Sequence, residues 1–160
     1  MKRKIFNNMV YIAVVAVLIT TTLLGMFTYY RYMEQVKSGI KDEAAYLAAS
    51  LNVKDNQNLN KYKNITVSRI TRVDQNGKVI YDSSGKEKSM GNHKNRTEIK
   101  EAYEKGQGED TRMSNTLRKQ TYYYAVRLKD GTILRMSRET QTIIKQMEDI
   151  IPIIMLMLAV

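Results

Sequence analysis

No charged residue falls between Met9 and Phe27, "MVYIAVVAVLITTTLLGMF". At about 1.5 Å per residue this run matches the roughly 30 Å hydrocarbon layer of a bilayer, which predicts a transmembrane helix. The pattern then changes. From Tyr30 to Leu51 the apolar positions Met33, Val36, Ile40, Ala44, Leu47 and Leu51 recur at steps of three and four, the spacing of one helix face. No proline separates them from the apolar run, so one long helix is expected to leave the bilayer. Its stripe can dock on its own domain or on a second copy, and the pattern does not choose. After the polar loop "NVKDNQNLNKYKN", the stretches "TVSRITRV" and "KVIYDS" read as strands joined through "DQNG", with Asn76-Gly77 as the hairpin turn. A loop with Gly85 and Gly91 leads to a short helix from about Glu98 to Lys105. Asn95 is expected to cap it, with Glu98 closing a loose capping box, and Gly106 and Gly108 to stop it.

Three more strands follow, "EDTRMSN", "KQTYYYAVRL" and "TILRMS", the last two joined by a turn at Lys129-Asp130-Gly131. Two strands, a helix and three strands form the layout of a small PAS-like antiparallel sheet, an α+β fold. "SRETQTIIKQMEDII" reads as a membrane-proximal helix beginning near Ser137. It leads into "IIPIIMLMLAV", whose eleven apolar residues reach only about half a bilayer. Pro152 fits the first turn of a helix, where its missing N–H costs little. The expectation is a second span cut off part-way in a longer protein; a hydrophobic tail packed on the domain is the alternative.

Charge decides the sidedness. Lys2, Arg3 and Lys4 precede the first span and favour a cytoplasmic N-terminus, and the tyrosines of "TYYRY" suit the far interface. A cleaved signal peptide would need small residues at its cleavage site, but "GMFTYYRYME" is bulky throughout. The chain has 26 Lys and Arg against 16 Asp and Glu; setting aside the three at the N-terminus leaves 23 against 16, about +7 for the rest. Such a domain could meet anionic lipid heads, cell-wall polymers or an anionic ligand. The positive charges are spread rather than gathered on one helix or arm, which reads as a solvated basic surface and argues against nucleic acid. Without cysteine there is no disulfide framework, so the domain relies on its own core.

The stretches "RITRVDQNGKVIYDS", "GNHKNRTEIKEAYEKGQGEDTRMSNT" and "YYYAVRLKDGTILRMS" together resemble the extracytoplasmic PAS/Cache-like domain of membrane sensor histidine kinases of the phosphate-regulon type. They follow that family's order and near-family spacing across roughly Ser68 to Glu139. Where the family has H-x-x-R-P-E-I, this chain has His93 to Ile99 with Thr97 in place of the proline, which bears on the rigidity of the loop. The resemblance implies an extracytoplasmic sensor at the input end of a two-component kinase. It implies phosphoacceptor and ATP-binding domains beyond residue 160 that use ATP and Mg and pass phosphate to a cytoplasmic response regulator. A bacterial plasma-membrane homodimer meeting an extracellular ligand or partner protein is then expected. The expected organisation is a cytoplasmic N-terminus (1–8), a transmembrane helix (9–28), an extracytoplasmic helix and loop (29–64), the sensor domain (65–137), a membrane-proximal helix (138–149) and the start of a second span (150–160). A chemoreceptor, a cyclic-nucleotide enzyme or a non-signalling anchored binding protein could carry a similar domain.

His93, the one histidine, has Arg96 and Thr97 after it and so mimics a phosphoacceptor H-x-x-R-T core. That box places an acid directly after the histidine to orient the imidazole and take its proton. Here Lys94 stands there, the helix is short, and the charge rule puts His93 outside the cell, so it is not the phosphorylated residue. It remains a loop histidine fixing the entry to the short helix, a ligand or pH contact, or, least well supplied, a metal ligand. Arg96 and Arg112 could grip an anion with forked bonds or pair with Glu98, Glu101 or Asp82. Tyr122 and Tyr124 share one face of a strand and are candidate signal contacts or core, while Tyr123 faces the other way. Asn76, Gly77, Asp82, Glu98 and Gly106 are the structural motif residues, and "DQNG" and "KDG" are read as turns and nothing more. No nucleophile beside a base, glycine-rich phosphate loop or metal-ligand cluster stands in the sequence, so no catalysis, cofactor or metal is expected in these residues.

Overall fold

Helix α1 runs uninterrupted over Lys2–Ser50, as the lack of proline allows. The computed structural model describes residues 2–51, 59–114, 119–140 and 152. Two compact units divide the chain, residues 1–34 with 141–160, and residues 35–140. In the first unit α1 exposes Ile12, Leu18, Ile19, Leu23, Leu24 and Phe27, and it is long and apolar enough to cross a membrane. Its threonines suit that setting. Thr20, Thr21, Thr22 and Thr28 each donate their hydroxyl to the carbonyl four residues back, at 2.7–2.8 Å, so none of these four hydroxyls needs a partner from a lipid environment. Apart from residue 152, the expected second span lies outside the described residues, as does most of the membrane-proximal helix.

The second unit is built on one antiparallel sheet of β1 (Arg69–Val73), β2 (Val79–Asp82), β3 (Gln107–Met113), β4 (Gln120–Arg127) and β5 (Ile133–Glu139), in spatial order β2-β1-β5-β4-β3. A one-turn helix α2 (Leu59–Tyr62) precedes β1, and α3 (Thr97–Lys105) lies between β2 and β3. This is the expected α+β architecture of five strands and a short helix. Strand alternation sorts the side chains onto two faces. Register places Thr71 opposite Asp82 and Arg135, and Ala125 opposite Arg135, on the face that α3 covers. There Val73, Val79, Ile99, Ala102, Ala125 and Ile133 form a core, with Met90 and Tyr103 packed at its margin. Each fully buried Val or Ile contributes about 1.5–3 kcal/mol.

The other face carries Ile70, Leu134, Met136, Tyr122 and Tyr124 and is covered by α1. Val36, Ile40, Ala44 and Leu47 are buried, so the helical stripe docks on its own domain. The Lys37 ammonium lies 5.8 Å from the Tyr122 ring centroid and Lys41 lies 5.6 Å from that of Tyr124. Arg138 of β5 donates to Glu43 of α1 at 2.7 Å and to Ser68 Oγ at 3.0 Å. The compact unit is therefore wider than 65–137, because α1 supplies half of the cover.

Three local expectations are corrected. Asn95 does not cap α3: Arg96 holds the N-cap position in extended backbone without a side-chain cap bond. The Glu98 carboxylate goes to the sheet instead of closing a capping box. The helix expected from Ser137 does not begin there, because β4 pairs with β5 as far as Thr121 opposite Glu139 and so holds the chain extended. Gly106 does end α3. Its N–H closes the last helical bond to the Ala102 carbonyl, and its left-handed φ of 86° turns the chain out of the helix.

Candidate functional site

The β1–β2 turn does more than reverse the chain. Asp74 Oδ1 accepts from the Asn76 and Lys78 amides at 2.9 Å, and Gly77 takes φ +84°. The loop before α3 docks on this turn. The His93 N–H donates to the Gly77 carbonyl at 2.7 Å, Asn92 Nδ2 donates to the Asn76 carbonyl at 2.9 Å, and the His93 carbonyl accepts from the Arg96 N–H at 3.0 Å. A Cβ on Gly77 would lie 2.4 Å from Asn92 Oδ1 and 2.5 Å from the Lys94 backbone N, so only glycine permits the approach. The reading of "DQNG" as a turn and nothing more is thus too narrow.

Behind this loop lies a buried ionic cluster. Glu98, on the first turn of α3, is 0% exposed and receives both Arg112 nitrogens, at 2.7 and 2.9 Å. Arg135, from the middle of β5, donates to Glu98 at 3.4 Å and to Thr71 Oγ1 at 3.2 Å. Thr71 passes its hydroxyl to Asp82 at 2.9 Å, and Asp82 is held by Arg69 at 2.9–3.1 Å. Arg112 also pairs with Asp110 on its own strand. Both guanidiniums stack on Tyr123, with Cζ at 4.1 Å from the ring centroid for Arg112 and 5.2 Å for Arg135. Arg69, Arg112 and Arg135 thus balance Asp82, Glu98 and Asp110 in charge.

The electrostatics follow from burial and this balance. Burial alone would raise the Glu98 carboxyl, but the paired bonds and charge of Arg112, with Arg135 behind them, outweigh it and hold the group below its usual range. Asp82 is likewise lowered against its burial, by Arg69 and Ser84. His93 is 7% exposed, and its pKa falls to about 4, first because burial disfavours the cation and then because Arg135 and Arg96 repel it, while Glu98 opposes. Its Nδ1 and Arg135 Nε are buried without a hydrogen-bond partner. The backbone of His93, more than its ring, fixes the entry to α3.

Of the residues marked by the sequence, His93, Glu98, Arg112 and Asp82 belong to one cluster. Arg96 stays half-exposed at the rim and pairs with none of Glu98, Glu101 or Asp82. Tyr122 and Tyr124 lie on the opposite face under α1. Tyr124 donates to Gln107 Oε1 at 2.8 Å, and Tyr122 donates to Glu109. These two rings are core and share no site with His93. Sequence reasoning missed Arg135, Tyr123 and Thr71. Arg135 carried a signal, as a cation inside the apolar strand "TILRMS" with the same strand parity as buried Ile133. Among the described residues no three His, Cys, Asp or Glu side chains converge to hold a metal ion. An anion reaching Arg112 must displace Glu98, and a proton on His93 adds charge beside two arginines.

Residues 30–133 match the family described as Single Cache-like, well over half of the chain. The chain belongs to the single Cache-like family. Cache domains are sensory rather than catalytic, so this is a sensory domain of extracellular type joined to a helix apolar enough to cross a membrane. No curated protein matches the chain. Among solved structures, this Cache-like chain is similar to the Bacillus subtilis YkuI protein, which has an EAL domain and was solved with its substrate c-di-GMP and calcium. Identity is 15% over 78% of this chain and 36% of that one, with a TM-score of 0.49. At that level the likeness carries nothing about ligand or activity.

Proposed function

We propose that this chain is the signal-sensing, transmembrane-signalling input part of a two-component sensor histidine kinase, with residues 29–149 outside the plasma membrane and the N-terminus inside. The reading is supported by one arrangement: a Cache-like sheet bearing a buried, internally paired ionic cluster on one face and clasped on the other by the helix that carries the apolar run. A signal that favours one arrangement of α1 on the sheet biases the output by its differential affinity and no more. In this reading the kinase portion uses ATP and Mg, acts on a cytoplasmic response regulator and works as a homodimer. His93, Arg96 and Arg112 are the proposed signal contacts, with Arg135 and Tyr123 behind them.

Two measurements test it. The chain has no cysteine, so a single Lys105→Cys on the exposed end of α3 reports sidedness through a membrane-impermeant maleimide on intact cells. Labelling is expected, and protection until lysis would overturn the orientation. The full-length protein in nanodiscs should phosphorylate itself on a histidine with ATP. A reading frame that lacks a phosphoacceptor box and an ATP-binding domain after codon 160 would remove the kinase assignment.

A further inference from the structure

On the α1 side of the sheet, away from the His93 cluster, the last turns of α1 and the β4–β5 turn enclose a cavity of about 250 Å³. Ala48, Ala49, Leu51 and Leu128 form an apolar wall, and Arg72, Lys129 and Asp130 form a charged one. We propose that this cavity is a binding site for a small amphipathic anion, a monocarboxylate with a short apolar stem.

Charge fixes the class of ligand. Arg72 donates to Thr132 Oγ1 at 3.0 Å and pairs with Asp130. The Asp130 carboxylate also accepts from the Thr132 N–H at 3.0 Å and its hydroxyl at 2.7 Å. Those two charges cancel. Lys129 has no acidic partner among the described residues, so the charges of the described residues at the cavity mouth, Arg72, Lys129 and Asp130, sum to +1. Geometry fixes the orientation. The C-terminal end of α1 carries the negative end of its dipole and repels an anion. The head therefore sits toward Lys129 and Arg72, and the stem lies on Ala48, Leu51 and Leu128. Size fixes the length, since the cavity is smaller than the roughly 300 Å³ at which drug-sized pockets begin. A bound molecule touches α1, β1 and the β4–β5 turn at once, so occupancy bears on how α1 sits on the sheet. Binding itself does not depend on the kinase reading above.

The test uses the full chain in zwitterionic nanodiscs with methyl-labelled alanine and leucine, titrated with hexanoate and followed by NMR. Saturable shifts are expected at the Ala48, Ala49, Leu51 and Leu128 methyls, with no such response to hexylammonium. Lys129→Gln should weaken hexanoate about fivefold, the size of an exposed charge pair. Ala48→Leu, a good helix former, should fill the cavity and abolish the shifts while leaving the rest of the spectrum intact. The proposal is overturned by no saturable shift up to about 10 mM, an affinity too weak to matter in a sensor. It is equally overturned by an equal response to hexylammonium, or by unchanged affinity in both variants.

Discussion

Acidification from about pH 7 to about pH 5 singles out one side chain in residues 1–160, because His93 is their sole histidine and they hold no cysteine. The buried carboxylates of Glu98 and Asp82 are lowered and titrate below that window. In the folded chain the imidazole titrates near 4, against an ordinary value of 6.5. Between those values the unfolded chain takes up a proton that the folded chain refuses. Proton uptake therefore favours unfolding: stability begins to fall as pH drops through the unfolded value, and the loss levels off below the folded one. At about 1.4 kcal/mol per pKa unit, the step from about pH 7 to about pH 5 removes about 2 kcal/mol. For a domain of this size that is a fall in Tm of about 10 °C. Urea unfolding followed by circular dichroism across this range measures it. The His93→Gln variant removes the titration, so its stability should stay level. A level wild-type profile, or an unchanged slope in His93→Gln, would refute the placement of the ring in a dry pocket beside arginines.

Glu98→Gln leaves Arg112 and Arg135 facing each other without the carboxylate, and should lose about 3–4 kcal/mol in urea unfolding. The double variant Glu98→Gln with Arg135→Met should lose at least about 1 kcal/mol less than the sum of the single variants, whereas strict additivity would mean the two groups are not coupled. Gly77→Ala combines left-handed strain with a Cβ collision on the His93 loop and should cost about 2–4 kcal/mol, measured the same way. Glu43→Arg or Arg138→Glu alone should each cost about 1 kcal/mol by breaking the α1–β5 pair. The charge-swapped double variant should recover most of that, and failure to recover would show that the pair does not hold α1.

Much of the fold was legible because period and punctuation agree. Steps of three and four marked the face of α1 that is now buried, Asn76-Gly77 marked the hairpin and Gly106 marked the end of α3. What failed was decided by distant contacts. Asn95 has the right chemistry for a cap, but the docking of Asn92 and His93 on the hairpin turn shifts the helix start by one residue. Ser137 to Glu139 carry no strong strand preference, and pairing with β4 keeps them extended. The site was half legible for a similar reason. Local motif spacing drew His93, Arg96 and Arg112 together. Arg135 comes from the far end of the domain and meets Glu98 only through sheet register, which no short motif reports.

The tyrosine triplet of β4 shows why the two faces of the sheet have different chemistry. Tyr122 and Tyr124 send their rings under α1, where Lys37 and Lys41 cap them, so that face is sealed by a helix. Tyr123 instead floors the ionic cluster, and this has a consequence for ligands. The place where Arg112 and Arg135 converge already holds an anion, the Glu98 carboxylate. An incoming anion that must break this pairing forfeits about 3 kcal/mol, which weakens its apparent affinity about 150-fold. A weak anionic signal therefore gains little by competing with Glu98 on the α3 face. A neutral ligand, a partner protein reaching the half-exposed Arg96, or a small anion on the α1 side of the sheet avoids that cost. The internal pairing of Glu98 thus acts as a filter that keeps weakly held anions from Arg112 and Arg135.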